Sequence, residues 1–473
     1  MKADRGYPQL IITPKGERAL AGGHPWVYEG EVVRVADASG DPLAATGADA
    51  SASAPAEAGP GTDAAGNASG PENGCLVDVL SRKGRYLGTG LYSAQSKIRV
   101  RIISRNANDR FDTAFWERKV RWAWEHRRNV MGSDLGCCRV IFSEADGFPG
   151  LIVDRFNDVL VTQTLSIGME RCKPAIFGAL LRVLEEDGVR LRGIYERNDV
   201  STRRLEGLEE TCGWYGCGAE SSQGACPGPQ PIPADNPAAA AFGPTVTEIC
   251  ENGVRYHVDF ARGQKTGFFL DQKYNRRAVA QLARGRRVLD CFTHTGSFAL
   301  NAAAGDAEHV HAVDISELAV DMARANAQLN GLEDRMSFEA VNVFDLLPEL
   351  EREGGHRGRT SGTMAAHGGP FDFIILDPPA FTKSRRTIDS AERGYHEINQ
   401  RAMKILPRGG YLATCSCSHF MDTGRFRRML ASAAHDANVQ LRQIEERQQA
   451  PDHPIVWGIP ETDYLKFFLF QVV

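Results

Sequence analysis

The strongest constraint on this chain is an alternation in its second half. From residue 245 to 473, short apolar runs and amphipathic stretches take turns. "RRVLDCF" (286–292), "HVHAVDIS" (309–316), "MSFEAVNV" (336–343), "FDFIILDPP" (371–379) and "GYLATCSC" (410–417) read as strands. Helical patterns separate them: one over 296–304, "SELAVDMARANAQLNG" (316–331) and "AERGYHEINQRAMKIL" (391–406). Ser316 is a plausible N-cap, and Gly331 stands near the helix end. A further helix over 422–436 and two strands, "VQLRQIEE" and "DYLKFFLFQVV", finish the chain. Repeated strand–helix units can bury both sheet faces only as a mostly parallel, doubly wound α/β sheet. Ligands of such sheets bind beyond the carboxyl ends of the strands.

Three of these strands end in an acid: Asp290, Asp314 and Asp377. After Asp290 comes "CFTHTGSFAL", in which Gly296 opens a helix and lets a ligand approach the backbone. Asp314 lies about 20 residues further on, where an acid can bind ribose hydroxyls. The loop is not a G-x-G-x-x-G fingerprint, because Phe292 and His294 stand where glycine would be wanted. A pyrophosphate fits poorly there. A cofactor with a ribose and no phosphates, S-adenosyl-L-methionine rather than NAD, fits better. Asn342, after the third strand, can hold an adenine edge or be an ordinary exposed strand-end residue.

"LDPPAF" (376–381) follows the fourth strand, and its prolines stiffen the loop that carries Asp377. A flat base can lie on such a shelf while the carboxylate accepts its N–H. A plain structural turn explains the motif about equally well. The next strand carries "ATCSCSH" (413–419). Alternation points Cys415 and Cys417 to one face, with Cys417 nearer the cofactor edge. Alkylating C5 of a pyrimidine needs a nucleophile at C6, and a thiolate is the usual choice. Free cysteine is also among the most buried residue types. Cys415 therefore reads as core packing and Cys417 as the chemical thiol. No further ligands stand nearby to make the pair a metal site.

Length brings in the rest of the chain. Its 473 residues predict two to four domains. Residues 8–104 carry short alternating strands with glycine turns, and residues 108–215 mix helix and strand. Segments 38–73, 219–243 and 351–370 are rich in small and polar residues and poor in large apolar ones, which predicts loops or linkers. Eleven cysteines without a metal-binding spacing predict reduced thiols. The net charge of −5 does not advertise a nucleic-acid binder. Basic clusters occur at 117–129, 201–207, 275–288 and 382–386, each of which alone is usually a solvated face. No apolar run approaches the roughly 18 residues of a membrane span. The N-terminal stretch has no signal-peptide pattern, so a cytoplasmic location is expected.

Taken in order, "GQKTGFFLDQKYNRRAV" (263–279), "VLDCFTHTGSFAL" (288–300), "FIILDPPAFTKSR" (373–385) and "RGYHEINQRAMKILPRGGYLATCSCSH" (393–419) carry a resemblance. So do "APDHPI" and "PETDYLKFF" between 450 and 468. Together they resemble the bacterial class I S-adenosylmethionine-dependent large-subunit rRNA methyltransferases that form 5-methylcytosine. "GHPWVYEGEV" (23–32) and "GRYLGTGLYSAQSKIRVRI" (84–102) look like that family's PUA domain, a small RNA-binding β-barrel. "FSEADGFPGLIVDRFNDVLV" (142–161) and "IYERNDVSTRRLEGL" (194–208) look like its central α/β domain.

The resemblance implies a PUA-like domain over 1–104, a central domain over 105–218 and a linker over 219–244. It implies a Rossmann-like methyltransferase domain over 245–473. Lys265, Thr266, Phe269 and Asp271 would line the methionine side of the cofactor. Asp290, Phe292, Gly296, Asp314, Asn342, Asp377 and Pro378 would complete its site. Cys417 would be the nucleophile, with Asp377 beside the target base. The partner would be large-subunit rRNA before full assembly, with no membrane or metal and with homodimer formation left open. Ala380 stands where two-cysteine relatives carry a product-releasing cysteine, so the release base is unassigned. The rival readings are a guanine N-methyltransferase that uses the Asp-Pro-Pro loop and a non-catalytic ribosome assembly factor.

Overall fold

The computed structural model describes residues 5–43, 70–216, 244–354, 369–382 and 385–473. Segment 219–243 lies outside these, as do most of 38–73 and 351–370. Of the last, residues 351–354 continue a helix.

The N-terminal part is a six-stranded sheet of β1 (Gln9–Ile12), β2 (Trp26–Tyr28), β3 (Val32–Ala36), β4 (Leu76–Ser81), β5 (Tyr86–Tyr92) and β6 (Ile98–Ser104). Helix α1 (Pro14–Ala21) is capped by the Thr13 hydroxyl, which accepts from the Gly16 amide. The central part is a five-stranded sheet of β7 (Cys137–Phe142), β8 (Leu151–Phe156), β9 (Val159–Thr164), β10 (Gly193–Arg197) and β11 (Cys212–Trp214), flanked by α2 (Thr113–Met131) and α3 (Ile167–Glu186). A hairpin of β12 (Val246–Glu251) and β13 (Val254–Asp259) leads into the last part.

There β14 (Arg287–Cys291), β15 (His309–Asp314), β16 (Met336–Ala340), β17 (Phe373–Leu376), β18 (Tyr411–Ser416), β19 (Leu441–Arg447) and β20 (Lys466–Val472) form one sheet in the order β16-β15-β14-β17-β18-β20-β19. The first five are parallel, and β20 runs antiparallel to both β18 and β19. Helices α4 (Lys273–Leu282), α5 (Ser297–Ala304) and α6 (Glu317–Leu329) contribute to the apolar cluster on one face. Helices α7 (Val343–Gly354), α8 (Ile388–Ile405) and α9 (Thr423–Asp436) contribute to the cluster on the other. Covered on both faces, β17 is apolar throughout and fully buried. The strand order reverses between β14 and β17, and a crevice at such a switch point is where α/β sheets place ligands.

The predicted Ser316 cap forms, and the structure adds one at Asp422. The Ser316 hydroxyl accepts from Ala319 N at 3.3 Å, and Asp422 accepts from Arg425 N at 2.8 Å to start α9. Gly296 takes φ 83°, and a Cβ there would stand 3.0 Å from the Ala323 Cβ, so both backbone hand and space select glycine.

Several basic clusters are structural rather than solvated faces. Arg127 is buried in a two-pronged pair with Asp146 and also donates to the Asp452 carbonyl. Arg203 is buried against Glu170, and Arg276 against Glu251. The sequence shows these charges but not their partners, which lie between 19 and 33 positions away.

Of these, Arg127 also bridges the central part to the last one through its bond to the Asp452 carbonyl. Cys137, Phe156 and Val161 of the central sheet share one apolar cluster with Tyr256 and Phe260 of the hairpin. The N-terminal part docks by close backbone approach: a Cβ on Gly458 would meet the Gly22 carbonyl at 2.8 Å. Beside it His24 Nε2 lies 3.4 Å from Glu461 Oε2.

Candidate active site

The site is built at the carboxyl edge of β14, β15, β17 and β18. Asp290, on β14, is buried. Its Oδ2 accepts from the Thr293 hydroxyl at 2.6 Å and from Ala299 N at 2.9 Å. The loop that follows alternates in hand: Phe292 (φ 63°), His294 (φ 51°) and Gly296 (φ 83°) are all left-handed. Phe292 and His294 thus adopt the backbone that a glycine loop would use, at a cost of about 1–3 kcal/mol each. Hydrogen bonds hold it there, from Thr293 N to Val313 O and from His294 N to Asp314 Oδ2, both at 2.9 Å. The second Asp314 oxygen accepts from Ser316 N at 3.0 Å. Asp314 is half-buried and Ile315 beside it is exposed. Asn342 turns inward on its own helix, donating to Asp345 and accepting from Phe344 N. It acts as the start of α7, a use that strand-end position alone did not indicate.

Three carboxyl groups gather opposite this loop. Asp377 follows β17 directly, and its Oδ1 accepts from Gln272 Nε2 at 2.9 Å. Gln272 is itself held by Asn275 at 2.7 Å. Asp271 accepts from the Tyr464 hydroxyl at 2.7 Å. One oxygen of Asp271 and one of Asp290 are buried with no hydrogen-bond partner. Burial pushes Asp290 up to about 7, with the charge of Asp377 adding to the rise. Burial likewise pushes Asp377 up to about 6, with Asp271 adding to it. Asp271 is also penalised by burial, but Lys265, His453, Tyr464 and Arg139 outweigh that and hold it below the usual range. Unpartnered buried carboxylate oxygens are costly alone and suit a ligand that carries cationic groups.

The segment before α4 divides its labour. Lys265 is exposed and lies over the Phe269 ring at 4.7 Å. The Phe269 ring also meets His294, with centroids 5.2 Å apart. Thr266 turns away: its hydroxyl donates to Asp154 of the central sheet at 2.6 Å. Its hydroxyl thus ties this segment to the central sheet, a contact that the sequence did not signal. Pro378 is buried and Pro379 exposed, so the shelf after Asp377 has a fixed and an open half. Phe381 closes it by packing on Tyr395 at 4.5 Å, over Gly394, where a Cβ would come within 3.2 Å of the Phe381 ring.

Strand β18 lies beside β17, with Leu376 opposite Thr414, which brings the cysteines to Asp377. Cys415 is fully buried in the core, as its expected packing role requires, and its thiol also lies against Asp377. Cys417 lies one residue beyond the strand and is half-buried. Burial pushes its thiol up to about 11, and the charge of Asp377 raises it further while Lys265 and Lys466 oppose the rise. The resting thiol is therefore protonated at neutral pH. Sequence reasoning missed Gln272, Tyr464 and Lys466. Gln272 stands inside the recognised "GFFLDQ" run. Tyr464 and Lys466 come from the chain end, and no local pattern signals their arrival here.

Comparison with known proteins agrees with this geometry. Residues 242–470 match the S-adenosylmethionine-dependent methyltransferase family, and residues 10–51 and 62–105 match a PUA-like domain. Two solved structures superpose on 98% of this chain and all of their own, each 20% identical, a likeness that carries the fold alone. One is a protein assigned as a SAM-dependent methyltransferase from Streptococcus mutans (TM-score 0.69), and the other a methyltransferase complexed with SAH (TM-score 0.71). Fold and acidic cradle thus define an S-adenosylmethionine-dependent methyltransferase.

Among curated relatives, Ribosomal RNA large subunit methyltransferase I of Erwinia tasmaniensis is 35% identical over 467 residues, covering 98% of this chain and 99% of the relative. The protein of the same name from Klebsiella pneumoniae is 33% identical over 472 residues, covering 99% and 100%. The chain belongs to the ribosomal RNA large subunit methyltransferase I family. Among the described residues, no helix is long and apolar enough to cross a membrane.

The raised carboxyls give a pH prediction. Asp290 and Asp377 bind protons in the folded state up to about 7 and about 6, well above their unfolded values. Between about pH 4 and 7 the folded state holds more protons than the unfolded one, so unliganded stability falls as pH rises. A cationic ligand favours the ionised carboxylates, so binding releases protons and strengthens over the same window. S-adenosylmethionine is expected to bind on the order of tenfold more tightly at pH 8 than at pH 5.5. Calorimetry in two buffers of different ionisation enthalpy measures both affinity and proton release, and pH-independent binding would refute the assignment.

Proposed function

We propose that this enzyme forms 5-methylcytosine in large-subunit rRNA through a covalent bond between Cys417 and C6 of the target cytosine. The observation that carries the reading is the placement of Cys417 just beyond β18, next to Asp377 on the neighbouring strand edge. The rRNA substrate is carried over from the relatives, whose name states it. Asp271 and Asp290, with unpartnered oxygens, would hold the cofactor's cationic end, and Asp314 its ribose. When bound, S-adenosylmethionine supplies an electrophilic methyl group.

The chain's own residues supply the rest. The cytosine is turned out of its RNA context onto the Pro379 side of the shelf. Cys417 attacks C6, which makes C5 nucleophilic. Asp377, raised to about 6, is able to share a proton with ring N3 near neutral pH. Loss of the C5 proton then restores the C5–C6 double bond and expels the thiolate. Trp457 supports an RNA path across the domain junction: its indole is 99% exposed, one residue from the Gly458–Gly22 contact. An indole so placed is a stacking surface for an unpaired base.

The test is nucleoside mass spectrometry of unmodified large-subunit rRNA after incubation with enzyme and labelled S-adenosylmethionine. Labelled 5-methylcytosine is expected. A labelled N-methylguanosine would support the rival that uses the Asp-Pro-Pro loop without a covalent step. No label in any nucleoside would leave the assembly-factor reading.

A further inference from the structure

Lys466 is a buried charge that the mechanism above does not use. It lies at the start of β20, in register opposite Ser416 of β18. Its side chain is buried, and Nζ donates to the Ser418 carbonyl at 2.7 Å and the Tyr464 carbonyl at 2.8 Å. Among the described residues no carboxylate stands within ion-pairing distance of it; Asp422 and Asp463 act on it only from further away. A buried ammonium held by two neutral carbonyls keeps its charge without an anion, which costs free energy unless a partner arises nearby.

The two carbonyl bonds aim that charge at the turn carrying Cys417, since Ser416 and Ser418 flank the cysteine. The turn is fixed on its other side by Tyr395, whose hydroxyl meets Ser418 Oγ at 3.0 Å. The other ionisable groups facing Cys417 are Asp377, Asp271, Lys265, Tyr395 and Cys415. Both carboxylates oppose a thiolate. Lys265 is exposed, so solvent and salt screen it. Lys466 is the buried, fixed cation of the set. A cavity of about 770 Å³, lined in part by His419, Trp457 and Lys466, opens beside Lys466.

We propose that Lys466 is a positioning residue for methyl transfer: its ammonium holds the Cys417 sulfur as the thiolate that attacks the base. The S–H bond breaks with both electrons left on Sγ, and the proton passes to solvent water, to which the half-buried Cys417 is partly open. The sulfur lone pair then forms the S–C6 bond. No oxidant or reductant takes part. The proposal rests on reading Cys417 as the nucleophile, and it explains how a thiol raised by burial is brought to reactivity. Burial lowers Lys466 to about 8, so it remains charged at neutral pH.

The experiment is the pH dependence of iodoacetamide alkylation at Cys417 in the full chain, read by peptide mass spectrometry with Cys417→Ser as the blank. RNA is absent, and cofactor binding by calorimetry confirms each variant's fold. In Lys466→Met the profile is expected to shift to higher pH, with alkylation at pH 7, where Lys466 is still charged in the wild type, about tenfold slower, the effect of one unit of thiol pKa. Lys466→Arg is expected to restore it to within about threefold, because the charge is kept. If Lys466→Met loses cofactor binding, Lys466→Gln, which retains a donor for the two carbonyls, takes its place. Superposable profiles for wild type and the neutral variant would overturn the proposal. So would an arginine variant that binds cofactor but alkylates as slowly as the neutral one. Failure of the 5-methylcytosine reading registers separately, in the product nucleoside.

Discussion

Cys417→Ser is expected to lower methyl transfer by about 10³-fold or more, the scale of removing a covalent nucleophile. Cofactor affinity should stay within about twofold, because serine nearly keeps the volume of the cysteine side chain and leaves the carboxylates of Asp271 and Asp290 in place. The physical reason is specific to the pyrimidine. C5 gains nucleophilic character only after a nucleophile adds at C6, and a serine hydroxyl is far less able to ionise than a thiol. RNA carrying 5-fluorocytosine at the target position should trap a covalent complex with the wild-type chain, stable on denaturing gels, because fluorine cannot leave as a proton does. The serine variant should give none. Undiminished 5-methylcytosine formation by the serine variant would remove Cys417 from the mechanism.

Asp377→Asn should move two readouts in opposite directions. Methyl transfer is expected to fall by about 10²- to 10⁴-fold, the range for loss of a positioned acid–base group. The amide cannot share a proton with ring N3, and it also disturbs the hydrogen bond from Gln272. Alkylation of Cys417 by iodoacetamide should instead become faster. After burial, the charge of Asp377 is the next largest influence holding the thiol up, and the substitution removes it. The paired assay therefore separates proton supply from thiol activation. Slower alkylation in this variant would mean that Asp377 does not face the thiol electrostatically.

The same coupling suggests why these groups are neighbours. A carboxylate beside a thiol suppresses the thiolate in the resting enzyme. Once the carboxyl is engaged with the ring, that suppression is relieved and the fixed charge of Lys466 remains. On the proposed mechanism, a reactive sulfur would form chiefly when a base is in place, which would protect a cysteine that is only half-buried.

Much of this site was legible in the sequence because it is local. Asp290, Asp314, Asp377 and Cys417 each end a strand or follow one directly, and strand ends are marked by apolar runs and turn residues. The parallel sheet follows from repeated strand–helix units, and the order of motifs identified the family. Where the sequence misled, the missing fact was a distant partner. Thr266 sits in a segment that reads as cofactor-facing, yet its hydroxyl goes to Asp154, 112 residues earlier. Arg127, Arg203 and Arg276 read as solvated basic faces and are buried ion pairs. Asn342 reads either as a hold for an adenine edge or as an ordinary strand-end residue, and its side chain bonds at the start of its own helix.

What the sequence by itself determined is the set of chemical groups and the sheet edge at which they stand, because periodicity of two and of 3.6 residues fixes the face and end of each element. What only the tertiary structure decided is their ionisation and their neighbours. Asp377 is raised and Cys417 is silent at rest because burial and through-space charge act on them, and neither is written in local pattern. Gln272, Tyr464 and Lys466 reach the site because an N-terminal lead-in and an antiparallel last strand fold back onto the same edge. Electrostatic energy depends on distance and solvent exclusion, and both exist only once the chain has closed on itself.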